Sequence, residues 1–334
     1  MSSIIKLLRL GLLSGALGGG AIAILAFFGF AVPAFDLFNH GQIFLLPASL
    51  LGVFIVAILL RGRRRLVAVG IVGLGLAASA SILVPEYLAG VQQRPTEPRD
   101  RPVITMMTHN LFGLNYNMKE VLAAILADKP DIIVLQEYFG EQASDLDPLL
   151  KPAYPYSVRC RGGKRANIAL YSKLKFEQVL DGNCPDNAYV TRRTAHITAK
   201  FTLKDGTAFT VMTTHMDWPL PIARQHDELD RLSAAVELVK GPLVLAGDFN
   251  SAPWAYALRG FIEGNGFTRQ TLNLVTYPMR WYYFGAWRDT IPFLPLDQVL
   301  TRNGIVVHSL KAGQRTASDH LPVVFRFSVQ APAG

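Results

Sequence analysis

No Asp, Glu, Lys or Arg occurs from Leu10 to Phe35, from Leu37 to Leu60, or from Leu66 to Pro85. Each stretch is about 20 residues or more, long enough as a helix to cross a hydrocarbon core of roughly 30 Å. A water-soluble core rarely needs three such runs in succession. The sequence therefore predicts a three-helix transmembrane region over residues 1–91, with helices at about 10–34, 38–60 and 66–89. Only 17% of the 334 residues are charged, which is low beside the roughly 25% of soluble domains. Lys6 and Arg9 ahead of the first run also resemble the start of a signal peptide. Two further spans follow at once without a small-residue cleavage site, so a retained bundle is the reading taken. Gly15, Gly18, Gly19 and Gly20 are expected to let its helices approach closely.

Orientation follows from the loops. "RGRRR" (Arg61 to Arg65) joins the second and third runs, whereas "FDLFNH" between the first two has no Lys or Arg. Basic residues collect on the cytoplasmic side. The N-terminus and the arginine loop are thus expected inside, and the chain after about Gly90 outside. In a Gram-negative cell this places a multi-pass protein in the inner membrane with its C-terminal domain in the periplasm. The net charge of +8 includes these flanking arginines and is weak evidence for a nucleic-acid partner.

"QQRPTEPRDRP" over residues 92–102 has the proline and charge content of an extended linker. Residues 103–329 are long enough for one domain with a substantial core. Its two cysteines, Cys160 and Cys184, are the only ones in the chain, and an exported domain permits a disulfide between them. Asn117 followed by Glu120 has capping-box spacing ahead of a helical pattern. Asp205-Gly206 between alternating runs predicts a hairpin. Leu229, Leu232, Val236 and Val239 share one helical face, and a further helix is expected from Ala255 to Gly264. Strands outnumber helices and many are hairpin-linked. The fold class expected is α/β, with two packed sheets and helices outside.

Several strands are expected to end on a polar residue: Asn110 after "MMTH", Glu137 after "IIVLQ", His215 after "VMTT", Asp248 and Asn250 after "VLAG", Asp297 in "PLDQVL", and Asp319-His320 in "ASDHLPV". Any one of them reads equally well as a turn former or a satisfied core group. Together they offer hard oxygen donors, few histidines and no thiolate cluster, which suits Mg²⁺ or Mn²⁺ rather than structural zinc.

In the order N…QE…TH…GDFN…D…SDH, the set resembles the endonuclease/exonuclease/phosphatase superfamily over roughly Ile104 to Phe327. The resemblance implies a four-layered α/β sandwich and divalent-metal cleavage of phosphoric esters. It implies that Glu137, with Asn110 and Asp319, holds the metal. Asp248 would orient or deprotonate water, and Asn250 would hold the nucleophile or a phosphate oxygen. His320 would contact phosphate with Asp297 fixing its tautomer, and His215 would lie near the leaving or a non-bridging oxygen. Arg165, Asn167 and Trp281 are weaker substrate-binding candidates, from a basic loop and from the aromatic run "YPMRWYYFGAWRD". The expected activity is a membrane-anchored phosphodiesterase acting on nucleic acid or a phospholipid head group, with the bilayer as a partner and no obligate protein partner evident. A phosphomonoesterase and a catalytically silent scaffold are the alternatives. The intact metal, water and histidine positions weigh against the scaffold.

Overall fold

The computed structural model describes residues 2–93, 96–97, 101–161, 165, 167–178 and 194–330. The chain divides into two compact units, one of Met1–Gln92 with Ala252–Gly260, the other of Gln93–Ser251 with Phe261–Gly334.

The first unit is built on α1 (Ser2–Phe27), the short α2 (Pro33–Asp36), α3 (Gln42–Leu59) and α4 (Gly62–Gln92). Among the described residues, Ser3–Phe30, Pro33–Leu59 and Gly62–Gln92 are long and apolar enough to cross a membrane. The first begins earlier than the charge gap implies, since a helix tolerates Lys6 and Arg9 near its N-terminus, and it breaks sooner because Val32 turns extended before Pro33. Leu8, Leu51, Phe54, Ile58 and Leu74 are exposed on the outside of these helices. The Arg9 guanidinium donates to the Leu59 carbonyl, so the start of α1 lies beside the end of α3. Close packing comes from Gly20 alone among the expected glycines. A Cβ on Gly75 would lie 2.5 Å from the Gly20 carbonyl oxygen, while Gly15, Gly18 and Gly19 face open space.

The second unit holds two six-stranded mixed sheets. One has the order β13-β14-β1-β2-β4-β3, the other β5-β6-β7-β8-β12-β9. In the first sheet β1 (Ile104–Asn110) pairs in parallel with β2 (Ile132–Gln136), flanked by β3 (Tyr156–Cys160), β4 (Ile168–Ser172), β13 (Ile305–Ala312) and β14 (Val323–Val329). The second contains β5 (Phe176–Gln178), β6 (His196–Thr202), β7 (Ala208–His215), β8 (Leu243–Asp248), β9 (Thr268–Arg269) and β12 (Asp297–Arg302). Between β9 and β12 in sequence, β10 (Arg280–Tyr283) and β11 (Ala286–Asp289) form a separate hairpin. Alternate residues Ile104, Met106, Ile132, Val134 and Leu170 of one sheet meet Ile197, Ala199, Phe201, Val211, Val244 and Ala246 of the other in one buried core, as period-two side-chain alternation requires. α5 (Met118–Asp128) and α6 (Gly140–Leu150) bury Val121, Ile125 and Leu146 on the outer face of the first sheet. α7 (Ile222–Leu238) buries Leu229, Leu232 and Val236. The architecture is the expected α/β sandwich.

Local expectations are met unevenly. Gly206, at φ 83°, turns β6 into β7 as Asp205-Gly206 predicts. Asn117 does sit ahead of α5, but its side chain bonds the Glu120 carboxylate at 2.7 Å and caps no backbone amide. The final helix, α8, runs Tyr256–Gly264. Cys160 is buried and disulfide-bonded; Cys184 lies outside the described residues.

Gly247 in β8 has one purpose that spacing alone cannot show. A Cβ there would meet the Thr214 carbonyl oxygen of neighbouring β7 at 2.1 Å. Gly247→Ala is expected to destabilise the domain by about 3 kcal/mol or to push β8 out of register. Thermal unfolding of the two proteins in the same detergent would measure it.

Candidate active site

The parallel pairs β1–β2 and β7–β8 bring the C-terminal ends of four strands into one region. His215 is level with Asp248 across β7–β8, and Asn110 is level with Gln136, the residue before Glu137. Asp297 does not end a strand but begins β12. Because β12 runs antiparallel to β8, its first residue pairs with Asp248, the last of β8. Asp319 and His320 likewise precede β14, which is antiparallel to β1. Ends and beginnings converge because the strand directions alternate. Beneath the site Gln136 donates across the two sheets to Thr213 Oγ1 at 3.1 Å.

Asp248 is the hub. It is buried, accepts from Asn250 N at 2.8 Å on Oδ1 and from Asn110 Nδ2 at 2.9 Å on Oδ2. His215 Nε2 and His320 Nε2 lie 3.6 and 3.7 Å from the same Oδ2. Burial, opposed in part by His320, pushes the Asp248 carboxyl up to about 7. Asp319 is pushed up to about 6, again by burial first and then by neighbouring carboxylates against His320.

His320 Nδ1 and Asp297 Oδ2 are 2.8 Å apart. Burial favours the neutral ring, but Asp297, Asp248 and Asp319 outweigh it and raise His320 to about 10. His320 is therefore an imidazolium at neutral pH, donating Nδ1–H to Asp297 and turning Nε2–H toward Asp248. His215 is different. Burial, opposed by Glu137, lowers it to about 4, so it is neutral. Asn250 Nδ2 donates to the Met216 carbonyl at 2.9 Å and faces His215 Nε2 at 3.2 Å. With the amide fixed that way, His215 Nε2 accepts and its proton sits on Nδ1.

Glu137 follows β2 at φ 53°, and Asn250 follows β8 at φ 46°. These left-handed positions swing both side chains out of the strand direction, a strained backbone of the kind that collects at functional sites. Glu137 Oε2 accepts from Gly113 N at 2.6 Å, while Oε1 has only longer contacts, to Asn110 Nδ2 at 3.4 Å and His215 Nε2 at 3.8 Å. Burial works against ionisation of Glu137, but charge on His215 whenever that ring is protonated, the Gly113 amide, the His320 charge and the Asn110 amide prevail, and its pKa is lowered. Asn110 turns its N–H groups to the two carboxylates and its oxygen to Phe112 N at 2.9 Å.

The donor set fits a hard divalent cation. Glu137, Asp248 and Asp319 gather at the strand ends; burial first, then the charge of Asp297, joined by Glu137 in the case of Asp319, holds Asp248 and Asp319 toward protonation. A bound cation relieves that cost. Asp248, Asp297 and His320 offer atoms within 4.8 Å of one another. There, however, His320 already spends Nδ1 on Asp297, which makes the trio a carboxylate–imidazolium chain rather than a ligand set. Glu137 Oε1 and Asp319 are the oxygens left free to coordinate.

All eight expected core residues thus meet in one cluster. The weaker candidates divide. Arg165 Nε pairs with Asp217 Oδ1 at 2.9 Å and is close enough to His215 to contribute to lowering its pKa. Asn167 accepts Tyr138 N through its backbone at 2.7 Å, fixing the chain just beyond Glu137. Trp281 lies on the β10–β11 hairpin, stacked at 6.2 Å on Phe293, and belongs to none of these hydrogen bonds. Two contributors were missed. Tyr277 packs its ring 4.8 Å from that of His320, and Ser318 donates to the Asn110 carbonyl at 2.7 Å while accepting His320 N at 3.0 Å. Ser318 was present in "SDH"; Tyr277 carried no signal apart from its place in an aromatic run.

Carboxylates gathered at the strand ends, with an Asp-paired histidine among them, are a set suited to hydrolysis of phosphoric esters. The chain belongs to the Endonuclease/Exonuclease/phosphatase family, whose sequence model matches residues 107–320. Solved structures agree on the fold. The human Nocturnin catalytic domain with bound sulfate is 20% identical, with a TM-score of 0.51 over 72% of this chain and 99% of that one. A mannosyl-6-phosphatase from Bacteroides thetaiotaomicron is 18% identical, with a TM-score of 0.52 over 67% and 99%. A curated relative, the "UPF0294 protein" of Vibrio campbellii, is 28% identical over 132 residues, 39% of this chain. This chain spans 44% of that relative's length.

Proposed function

We propose that the protein is a membrane-anchored, Mg²⁺- or Mn²⁺-dependent phosphodiesterase. The observation that carries this reading is the buried Asp248, held at 2.8 Å by Asn250 N and flanked within 4 Å by a neutral and a cationic histidine. A carboxyl poised near neutrality is suited to take a proton from water. Asp248 Oδ2 accepts it as the water oxygen attacks phosphorus and the opposite P–O bond breaks. Asn250, whose two amide hydrogens go to the Met216 carbonyl and His215 Nε2, holds the attacking water through its remaining Oδ1, which accepts from it. His320, kept cationic by Asp297, donates from Nε2 to a non-bridging oxygen, where negative charge must be met. Glu137 and Asp319, with Asn110 spacing the carboxylates, would hold the metal. When bound, it supplies positive charge to the phosphoryl and leaving oxygens.

Two features support a lipid head group as the substrate. Trp281, Tyr282, Tyr283 and Trp287 are exposed on the β10–β11 hairpin, and Phe284 at its tip is 94% exposed. Trp287 packs at 5.0 Å against Phe112, two residues beyond Asn110, so the hairpin flanks the cleft. Aromatic side chains of this kind partition into the headgroup region of a bilayer. The three apolar helices support anchoring, and the basic Arg61–Arg65 loop supports a cytoplasmic N-terminus with the catalytic domain outside. The test is a panel of plasmid DNA, RNA and phospholipid vesicles with Mg²⁺ or EDTA. Cleavage of vesicle lipid is expected only with Mg²⁺. Cleavage of nucleic acid alone, with a salt-sensitive KM, would transfer the substrate class to nucleic acid. Cleavage of no phosphodiester would refute the reading.

A further inference from the structure

Helix α8 begins six residues after Asn250, and its sequence lacks a cap. Ala255, the residue before the helix, accepts Arg259 N through its carbonyl at 3.0 Å, as an N-cap does, but its methyl group offers nothing to the first amides. Those amides are taken from far away in sequence. Tyr256 N donates to Asp36 Oδ1 at 2.8 Å and Ala257 N to Asp36 Oδ2 at 2.9 Å. Asp36 is the sole acidic residue among the first 85, and it is 6% exposed. Asn39 Nδ2 donates to the same carboxylate at 2.7 Å and to the Ala26 carbonyl at 3.1 Å, which fixes its aim. Gln42 holds Asn39 in turn at 2.8 Å.

The turn before the helix is gripped by the same loop. Trp254 Nε1 donates to the Asn39 carbonyl at 2.6 Å, Ala252 N to His40 Nδ1 at 3.2 Å, and the Tyr256 hydroxyl to the Phe27 carbonyl at 3.0 Å. Residues 252, 254, 256 and 257 are therefore all bonded to the connection between α1 and α3. A segment that begins two residues after Asn250 has been built into the N-terminal unit.

We propose that Asp36 is a positioning residue for the phosphoesterase centre, acting as an N-terminal cap for α8 supplied by the connection between the first two apolar helices. Its carboxylate satisfies two orphan amides and opposes the helix dipole. Through α8 it fixes the Ser251–Ala255 turn, and hence the left-handed Asn250 that bonds Asp248. The kinetic side of this proposal rests on the function argued above.

The test uses the full chain in detergent micelles, with bis(p-nitrophenyl) phosphate and Mg²⁺ as the probe. Asp36→Ala is expected to lower kcat roughly tenfold with little change in KM, at a temperature where the variant remains folded. Hydrogen exchange in the peptide spanning residues 249–258 should accelerate by roughly the same factor, the scale of one lost cap. Asp36→Asn keeps one accepting oxygen for Tyr256 N and loses the one that holds Ala257 N, so both properties should fall between those of Asp36→Ala and the unaltered protein. Adding Ala255→Ser to Asp36→Ala gives the helix a cap of its own and should restore both. Faster exchange with unchanged kcat would reduce Asp36 to a structural cap and overturn the positioning role; so would failure of Ala255→Ser to rescue kcat once exchange is restored. If the unaltered protein cleaves no phosphodiester, the function reading fails separately. Exchange at residues 249–251 still decides the coupling, and unchanged protection there in Asp36→Ala would refute it.

Discussion

Asp248→Asn is expected to lower kcat/KM for a phosphodiester by roughly 10³-fold, within the range of a lost general base, with the fold intact. The substitution keeps the shape of the side chain and the bond that Oδ1 accepts from Asn250 N, but replaces the basic oxygen that accepts from Asn110 Nδ2 with an amide that donates, so that one bond is lost. It also relieves the cost of burying a carboxylate whose pKa is raised to about 7, so thermal stability should hold or rise at pH 8. The wild-type rate should fall as pH drops through the Asp248 pKa, because the protonated acid cannot accept a proton. The residual rate of the variant should lack that acid limb. Steady-state rates from pH 5 to 9, with melting curves alongside, measure both. A variant within tenfold of wild type would remove Asp248 from the chemistry.

The second large effect belongs to Asp297. It is fully buried, and its Oδ2 holds His320 Nδ1 at 2.8 Å. Asp297→Ala leaves a buried imidazolium without its nearest counter-charge, a loss of about 3 kcal/mol or more. It should also cost roughly 10²-fold or more in kcat, since a His320 that is no longer aimed, and is more readily neutralised, meets phosphate charge poorly. The pH dependence has a definite sign. His320 is raised to about 10 from 6.5, so the stability from its pairing is fully present below about pH 6.5 and is lost as pH rises through about 10. The stability gap between wild type and Asp297→Ala should therefore be widest near pH 6 and narrow toward pH 10. Urea unfolding at a series of pH values would read it. A gap that widens with pH would mean that His320 is neutral in the native protein.

The eight central residues were legible because each stands beside an apolar run that can only be a buried strand. "VLAGD" and "IIVLQE" announce where their carboxylates must emerge. Asp297 was found by its motif although it begins a strand, since antiparallel pairing brings a beginning next to an end. What sequence did not disclose is contact over long separations. Tyr277 reaches His320 across an irregular stretch with no period to read. Asp36 caps a helix that starts 220 residues later, whereas capping rules look only three residues ahead. The Asn117–Glu120 spacing failed for the complementary reason: the two side chains bonded each other instead of the backbone. Glycines in the first apolar run were read as one packing surface, yet only Gly20 meets α4, because helical rotation turns the other three away.

The most direct measurement is hydrolysis of bis(p-nitrophenyl) phosphate by the purified full-length protein, titrated with Mg²⁺ after EDTA, beside His320→Ala prepared identically. Turnover should appear with added metal, saturate, and fall by at least about 10²-fold in the variant. Metal-independent turnover, or a variant equal to wild type, would contradict the account.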